Sequence, residues 1–248
     1  MDGFVDFFRW LADAHKIDVS IVYDPLDRRR FLIGLATTVQ LSVICIVLSI
    51  VIGLAGAWLQ GSRSRAVRAT IQGFVQFFRN TPPLVQLAFF YFAVSAALPT
   101  VTDRFGAQVP LVDNFGWAII SFSLFAGAFN VEIFRSGIEA VPRTTVEAAE
   151  ALGYSGLQAY IHVILPLAFR VCLPALGNNL VNLLKTTTLA YAIGVPELLY
   201  AASQVWSEVL NVREMMVVLL ITYVALVAVL VDILRRWEKM LHIPGYNR

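Results

Sequence analysis

The residues able to do chemistry in this 248-residue chain fall into three groups. The first is Glu147-Ala148-Ala149 with Gly153, Tyr154 and Ser155: an acid, two small helix formers, a turn residue and a cap. Its chemistry is docking on another protein, unless it is a plain surface hairpin between two spans with no partner. Glu147 supplies a charge for polar contact, and Gly153 lets the chain turn without a side chain in the way. An amphipathic, acid-edged surface of this kind fits a groove on another protein. The second group is Glu132 and Arg135, three apart on one helix face and able to neutralise one another. Near the end of an apolar run they read as a structural ion pair rather than a transport group. The third is Asn178, Asn182 and Lys185, at i, i+4 and i+7, followed by Thr186; Asn80, Thr81 and Gln86 flank a proline break elsewhere. Polar groups in an apolar wall suit a solute carrying both an ammonium and a carboxylate. Desolvating either charge without partners costs several kcal/mol or more. The competing reading is that the asparagines bond neighbouring helices and Lys185 snorkels outward.

No catalytic set accompanies these groups. Cys45 and Cys172 lie in apolar runs, and His15, His162 and His242 are scattered, so neither a metal cluster nor a disulfide framework is indicated. The chain has no Gly-x-x-x-x-Gly-Lys-Ser/Thr loop and does not bind ATP in that manner. It carries no cofactor of its own. A net charge of +2 gives no reason to expect nucleic acid.

The elements that position these residues belong to a membrane. Hydrophobic residues make up 58% of the chain and the mean hydropathy is +0.71, against about 45–50% apolar in soluble domains. Apolar runs over 31–59, 84–98, 116–134, 167–192 and 215–234 predict an all-α integral membrane protein with five transmembrane helices, since a span needs about 20 residues. Residues 1–30 form an N-terminal segment in which Phe4, Phe7, Phe8, Trp10 and Leu11 favour a helix lying in the headgroup layer, with Arg28 to Arg30 as anchors. No cleavable signal peptide is evident, so the first span serves as an uncleaved anchor. Residues 31–248 are the membrane domain, and 140–166 its main water-side loop. Thr144 or Thr145 caps the first helix of that loop, and Ser155 a second, short one ending at Pro166.

Between 70 and 80, Gln72, Gln76 and Arg79 share a face, and Thr81-Pro82-Pro83 then interrupts the pattern. This stretch reads either as an amphipathic helix followed by a span or as one span kinked at the prolines. Arg63, Arg65, Arg68, Arg143, Arg235, Arg236 and Lys239 fall on one side of the predicted topology; Arg104 and Arg213 fall on the other. The bias of basic residues toward the cytoplasm predicts an outside N-terminus and an inside C-terminus. Arg28 to Arg30 run against it.

The order Glu147-Ala148-Ala149, Gly153, then Val163-Ile164-Leu165-Pro166 resembles the EAA loop of bacterial ABC-importer permeases, with Val163 where that pattern has isoleucine. Further segments are similar to the polar amino acid branch of the same family: Gly34-Leu35-Ala36-Thr37-Thr38, Phe78-Arg79-Asn80-Thr81-Pro82, Glu132 to Ile138, Leu184-Lys185-Thr186-Thr187-Thr188-Leu189, Ile193 to Leu198, and Ile243-Pro244-Gly245-Tyr246. The resemblance implies a type I importer architecture in the bacterial inner membrane. It also implies a non-catalytic subunit working with a cytoplasmic ATPase dimer that holds ATP and magnesium, a second permease subunit, and a periplasmic amino acid-binding protein. Glu147 through Ser155 become the ATPase-coupling residues on this reading. The alternative is a secondary transporter or channel subunit needing no ATPase, which paired carboxylates or a histidine relay deep in several spans would favour; none is found.

Overall fold

The computed structural model describes residues 2–102 and 104–241. The closing motif Ile243 to Tyr246, and His242, lie outside the described residues. The chain is helical almost throughout. An amphipathic helix α1 (Asp2–His15) and one turn, α2 (Ser20–Tyr23), precede the first long helix, α3 (Pro25–Gln60). Asp24 starts α3: its Oδ1 accepts from the amides of Leu26 and Asp27 at 2.7 and 3.0 Å. Pro25, which has no amide hydrogen to leave unpaired, takes the first helical position. Arg28 to Arg30 therefore lie inside the first long helix rather than in a segment before it.

Helix α4 (Arg65–Asn80) follows, then the short apolar helix α5 (Pro83–Ala97), a hairpin of β1 (Thr100–Thr102) and β2 (Gln108–Pro110), and α6 (Asn114–Glu139). The water-side helix α7 (Arg143–Ala151), the long helix α8 (Gly156–Ile193), α9 (Leu198–Val209) and α10 (Val212–Leu241) complete the chain.

The expected five spans are corrected to four. Among the described residues, only α3, α6, α8 and α10 are long and apolar enough to cross a membrane. The segment expected as a second span fails on length. Thr81 takes an extended conformation (φ −114°, ψ 143°), as a residue before proline must. That separates α4 from α5 and rules out one continuous kinked span. What remains, α5, rises only about 22 Å at 1.5 Å per residue, against a hydrocarbon core of about 30 Å.

Two boundaries in the loop also differ from expectation. Helix α7 begins at Arg143 with Pro142 before it, and neither Thr144 nor Thr145 caps it. The helix begun at Ser155 does not stop at Pro166. A π-helical stretch over Tyr160–Ile164 ends two residues before the proline, whose missing donor falls where the bonding register has already shifted, and α8 runs on.

The chain divides into two compact units. One comprises the residues up to Ile44, Leu84–Ser121 and Leu184–Ala228; its core gathers Phe31, Leu198, Ala202, Val205, Met215 and Leu219. The other comprises Cys45–Pro83, Phe122–Leu183 and the residues from Val229; Ala57, Phe134, Cys172, Leu176 and Leu180 form its core. Close helix approach in the second unit depends on Gly53 and Gly56, where an added Cβ would collide with the Asn130 and Val131 side chains.

Candidate functional site

The loop 140–166 is a helical hairpin whose turn is fully specified by local bonds. At the end of α7, Gly153 donates to the Glu150 carbonyl at 2.9 Å and Tyr154 to the Ala149 carbonyl at 3.2 Å. These are the paired bonds of a Schellman turn, which needs a left-handed residue at its bend. Gly153 supplies it with φ +90°. The next helix opens on a capping box: Ser155 Oγ accepts from the Gln158 amide at 3.4 Å, and the Ser155 amide donates to Gln158 Oε1 at 2.9 Å. Ala149 and Ala159 are buried where the two arms meet. The remaining named residues face outward: Glu147, Ala148, Gly153, Tyr154 and Ser155 are all exposed. Leu152 and Leu157 are 80% and 70% exposed beside them, with Ile161 and Tyr154 extending the apolar edge. Sequence reasoning named the polar and turn residues of this hairpin but not Leu152 and Leu157 as its projecting surface. Their position on either side of the glycine turn was the available signal.

Glu132 and Arg135 are brought together. Arg135 donates to Glu132 Oε2 at 2.8 Å and to Glu139 Oε1 at 2.6 Å. Arg79 on α4 lies 3.9 Å from the same Glu132 oxygen and sits over the Phe129 ring at 5.3 Å. The pair is thus a four-residue network joining α4 to α6.

The α8 stripe divides. Asn178, Asn182 and Lys185 are exposed along one face and Thr186 is half-buried. Their neighbour Asn179, about 100° round the helix from Asn178, turns inward instead. Its Nδ2 donates to Asn130 Oδ1 at 2.8 Å and to the Ala126 carbonyl at 3.1 Å. Asn130, fully buried, donates in turn to Ser49 Oγ at 3.2 Å. Three long helices are therefore joined by a polar ladder, the form helix association takes where neighbouring surfaces are apolar. Asn179 and Asn130, which the stripe does not include, thus bond neighbouring helices. Around the proline break, Asn80 donates to Gln76 Oε1 at 2.8 Å, Thr81 donates to the Phe77 carbonyl at 2.7 Å, and Gln86 is buried.

A second buried polar node centres on Glu197, which sequence reading quoted only within a motif. Its carboxylate caps α9, accepting from the amides of Leu199 and Tyr200 at 2.9 and 2.8 Å, and it also accepts from the Tyr223 hydroxyl of α10 at 2.9 Å. The Leu198 amide donates to Thr38 Oγ1 of α3 at 2.9 Å, and Gly34, one turn earlier, lets the α9 backbone come close. Burial pushes the Glu197 carboxyl above its ordinary range, opposed by these donors. Among the described residues no group of three His, Cys, Asp or Glu side chains could hold a metal ion.

Comparison with known proteins gives this geometry a context. The family described as "Binding-protein-dependent transport system inner membrane component" matches residues 49–238. The histidine/lysine/arginine/ornithine transport system permease protein HisQ of Salmonella typhimurium is 32% identical over 168 residues, covering 68% of this chain and 74% of that protein. The L-cystine transport system permease protein TcyB of Bacillus subtilis is 32% identical over 185 residues, 75% of this chain and 74% of its own length. Among solved structures, a chain of an amino acid ABC transporter crystallised with histidines superposes with a TM-score of 0.75 at 26% identity, covering 86% of this chain and 94% of that one. The MetNI methionine transporter in an inward-facing conformation shares the fold, with a TM-score of 0.67 at 18% identity. The chain, a multi-pass membrane protein, therefore belongs to the family of binding-protein-dependent ABC-importer permease subunits, in the branch that holds the polar amino acid permeases, and its role is transport rather than catalysis.

Proposed function

We propose that this permease carries a polar amino acid across the bacterial inner membrane and is driven through its 140–166 hairpin by a cytoplasmic ABC ATPase dimer. A second permease subunit completes the path, and a periplasmic binding protein delivers the solute. The observation that carries this reading is the hairpin: a rigid turn presenting Leu152 and Leu157, edged by Glu147 and Glu150, with none of the described residues covering them. Full burial of one leucine is worth about 1.5–3 kcal/mol, so two of them supply a useful docking energy. Because α8 leaves the hairpin without a break, displacement of the docked loop acts directly on a span that bears the polar stripe. The rigid-body rocking of the spans follows from it.

The solute's path runs along the exposed Asn178, Asn182 and Lys185 face with Thr186, and past Asn80, Thr81 and Gln86 at the helix break, where proline frees backbone groups that can serve a polar solute. The Glu132–Arg135 network braces α4 and does not touch the solute. The relatives' substrates, basic amino acids for HisQ and cystine for TcyB, set the class as polar amino acids. The arginine-bearing ends at Arg63, Arg65 and Arg68, the hairpin, and Arg235, Arg236 and Lys239 face the cytoplasm. Residues 1–24, on the other side of α3, face the periplasm. The test is co-purification in mild detergent. Wild-type protein should bring down an ABC ATPase, and Leu152→Ser with Leu157→Ser should insert in the membrane but lose it. Retention of the ATPase by the double variant would remove the hairpin from the coupling role.

A further inference from the structure

An apolar cavity of about 360 Å³ opens between α3, α6 and α8, walled by Leu54, Phe134, Ile138, Leu165, Phe169 and Cys172. A second cavity of about 370 Å³ shares Ala57, Trp58, Ile138 and Tyr160 with it and adds Gln60, Gly61, Arg135 and Glu139. The two make one amphiphilic recess. Its polar part sits at Gln60 and Glu139, the last residues of two membrane-crossing helices. Its apolar part reaches back to Leu54, about 9 Å along α3 at 1.5 Å per residue. Trp58, 70% exposed, stands at the junction, the depth where tryptophan collects at membrane interfaces. One feature of the mouth lacks a partner. Gln60 Oε1 is buried and accepts no hydrogen bond among the described residues, a condition that native proteins resolve with water or a ligand. Beside it Glu139, 62% exposed, answers Arg135 at one oxygen.

We propose that this recess is a specific site for an aminophospholipid such as phosphatidylethanolamine. One acyl chain lies in the apolar cavity, and the headgroup ammonium is held by Gln60 Oε1 and the Glu139 carboxylate. Charge complementarity selects the headgroup. Both the orphaned acceptor and the accessible carboxylate call for a donor cation, which phosphatidylglycerol lacks. The site bridges the ends of α3 and α6 next to the Tyr160 turn, so occupancy braces the segment from which α8 emerges.

The experiment uses the full chain in nanodiscs of equal parts phosphatidylethanolamine and phosphatidylglycerol. In one sample bromine is placed on the acyl chains of the first lipid, in the other on those of the second. Quenching of Trp58 fluorescence is read as the difference between wild type and Trp58→Phe. The site predicts stronger quenching by the brominated amine lipid, with a preference of about two- to fivefold, the range of a partly exposed ion pair. That preference should disappear in Gln60→Leu and weaken in Glu139→Gln. Equal quenching by the two lipids in wild type would reduce the recess to ordinary annular contact and overturn the proposal. So would Trp58 shielded from both lipids in a cross-linked permease dimer, since a second copy would then be the occupant. ATPase coupling, measured on the same samples, is read separately, so its loss does not count for or against the site.

Discussion

Replacing Gly153 by valine isolates the backbone contribution to coupling. A Cβ added at Gly153 meets nothing within 4 Å, so no clash within the chain enters. The cost comes from φ +90° alone: holding an L-residue in the left-handed region costs about 1–2 kcal/mol. The turn it must preserve rests on two hydrogen bonds, Gly153 to Glu150 and Tyr154 to Ala149, each worth a net of about 0.5–1.5 kcal/mol. Strain and bonds are of the same size, so Gly153→Val brings the bend near to balance between its closed form and an unwound one. The fraction of hairpins able to dock falls, and the apparent affinity for the ATPase falls with it, by up to about tenfold. Insertion and the helical content of the spans should not change. The assay is substrate- and binding-protein-stimulated ATP hydrolysis by the reconstituted complex, with ATPase binding measured in parallel. Gly153→Asn is the control, because asparagine tolerates positive φ far better than a β-branched residue. Normal stimulation in Gly153→Val would refute the reasoning. Equal failure of the asparagine variant would show that side-chain bulk against the ATPase, not backbone geometry, sets the requirement.

Three further outcomes are expected. Asn182→Leu should lower transport and uncouple hydrolysis from uptake while assembly with the ATPase persists; normal transport with unchanged preference would make the exposed α8 face packing surface. In a background lacking Cys45 and Cys172, Ser64→Cys should resist a membrane-impermeant thiol reagent in intact cells and Ala14→Cys should react, because α3 separates the two; the reverse pattern would invert the orientation. Glu197→Gln puts an amide donor where amides of Leu199 and Tyr200 already donate, and should lower thermal stability in detergent by about 1–3 kcal/mol. Burial raises the wild-type carboxyl, so the folded state binds the proton more tightly than the unfolded one. Wild-type stability should therefore decline as pH rises from the ordinary carboxylate range through the raised value, a slope that the glutamine variant should lack.

What the sequence made legible follows from the range of the interactions involved. The hairpin's turn and caps are local, so Gly153 and Ser155 could be read from neighbours within four residues. The helix of Glu132 and Arg135 likewise places the pair by its own period. Length was the weak point. Hydropathy finds apolar runs, but Pro83–Ala97 is apolar without being long enough, and the prolines that cut it from α4 also remove the residues that would have extended it. The asparagines show the limit of a periodicity argument. Asn178 and Asn179 are adjacent and chemically identical, and the i, i+4, i+7 stripe singles out the first. Which of the two turns inward depends on where Asn130 sits, 49 positions away in the chain. No single-helix pattern contains that information.

The family-like segments acquire a physical meaning once their partners are seen. Gly34 and Thr38 belong to one segment, Glu197 and Leu198 to another; in the structure the first pair receives the second, glycine by making room and threonine by accepting the Leu198 amide. Arg79 of one segment lies against Glu132 of another. These residues make contacts between helices. They fix how α9 meets α3 and how α4 meets α6, and a transporter that rocks as rigid bodies needs such joints to hold while other contacts change. Other residues stand exposed: Leu152 and Leu157 on the hairpin, and the Asn178 face of α8. Leu152 and Leu157 cost solubility where they stand, and the polar α8 face costs membrane insertion. Both costs are recovered only when something else covers the surface. The division between satisfied joints and an uncovered hairpin edge thus separates the contacts that hold helices of this permease together from a surface that no described residue covers.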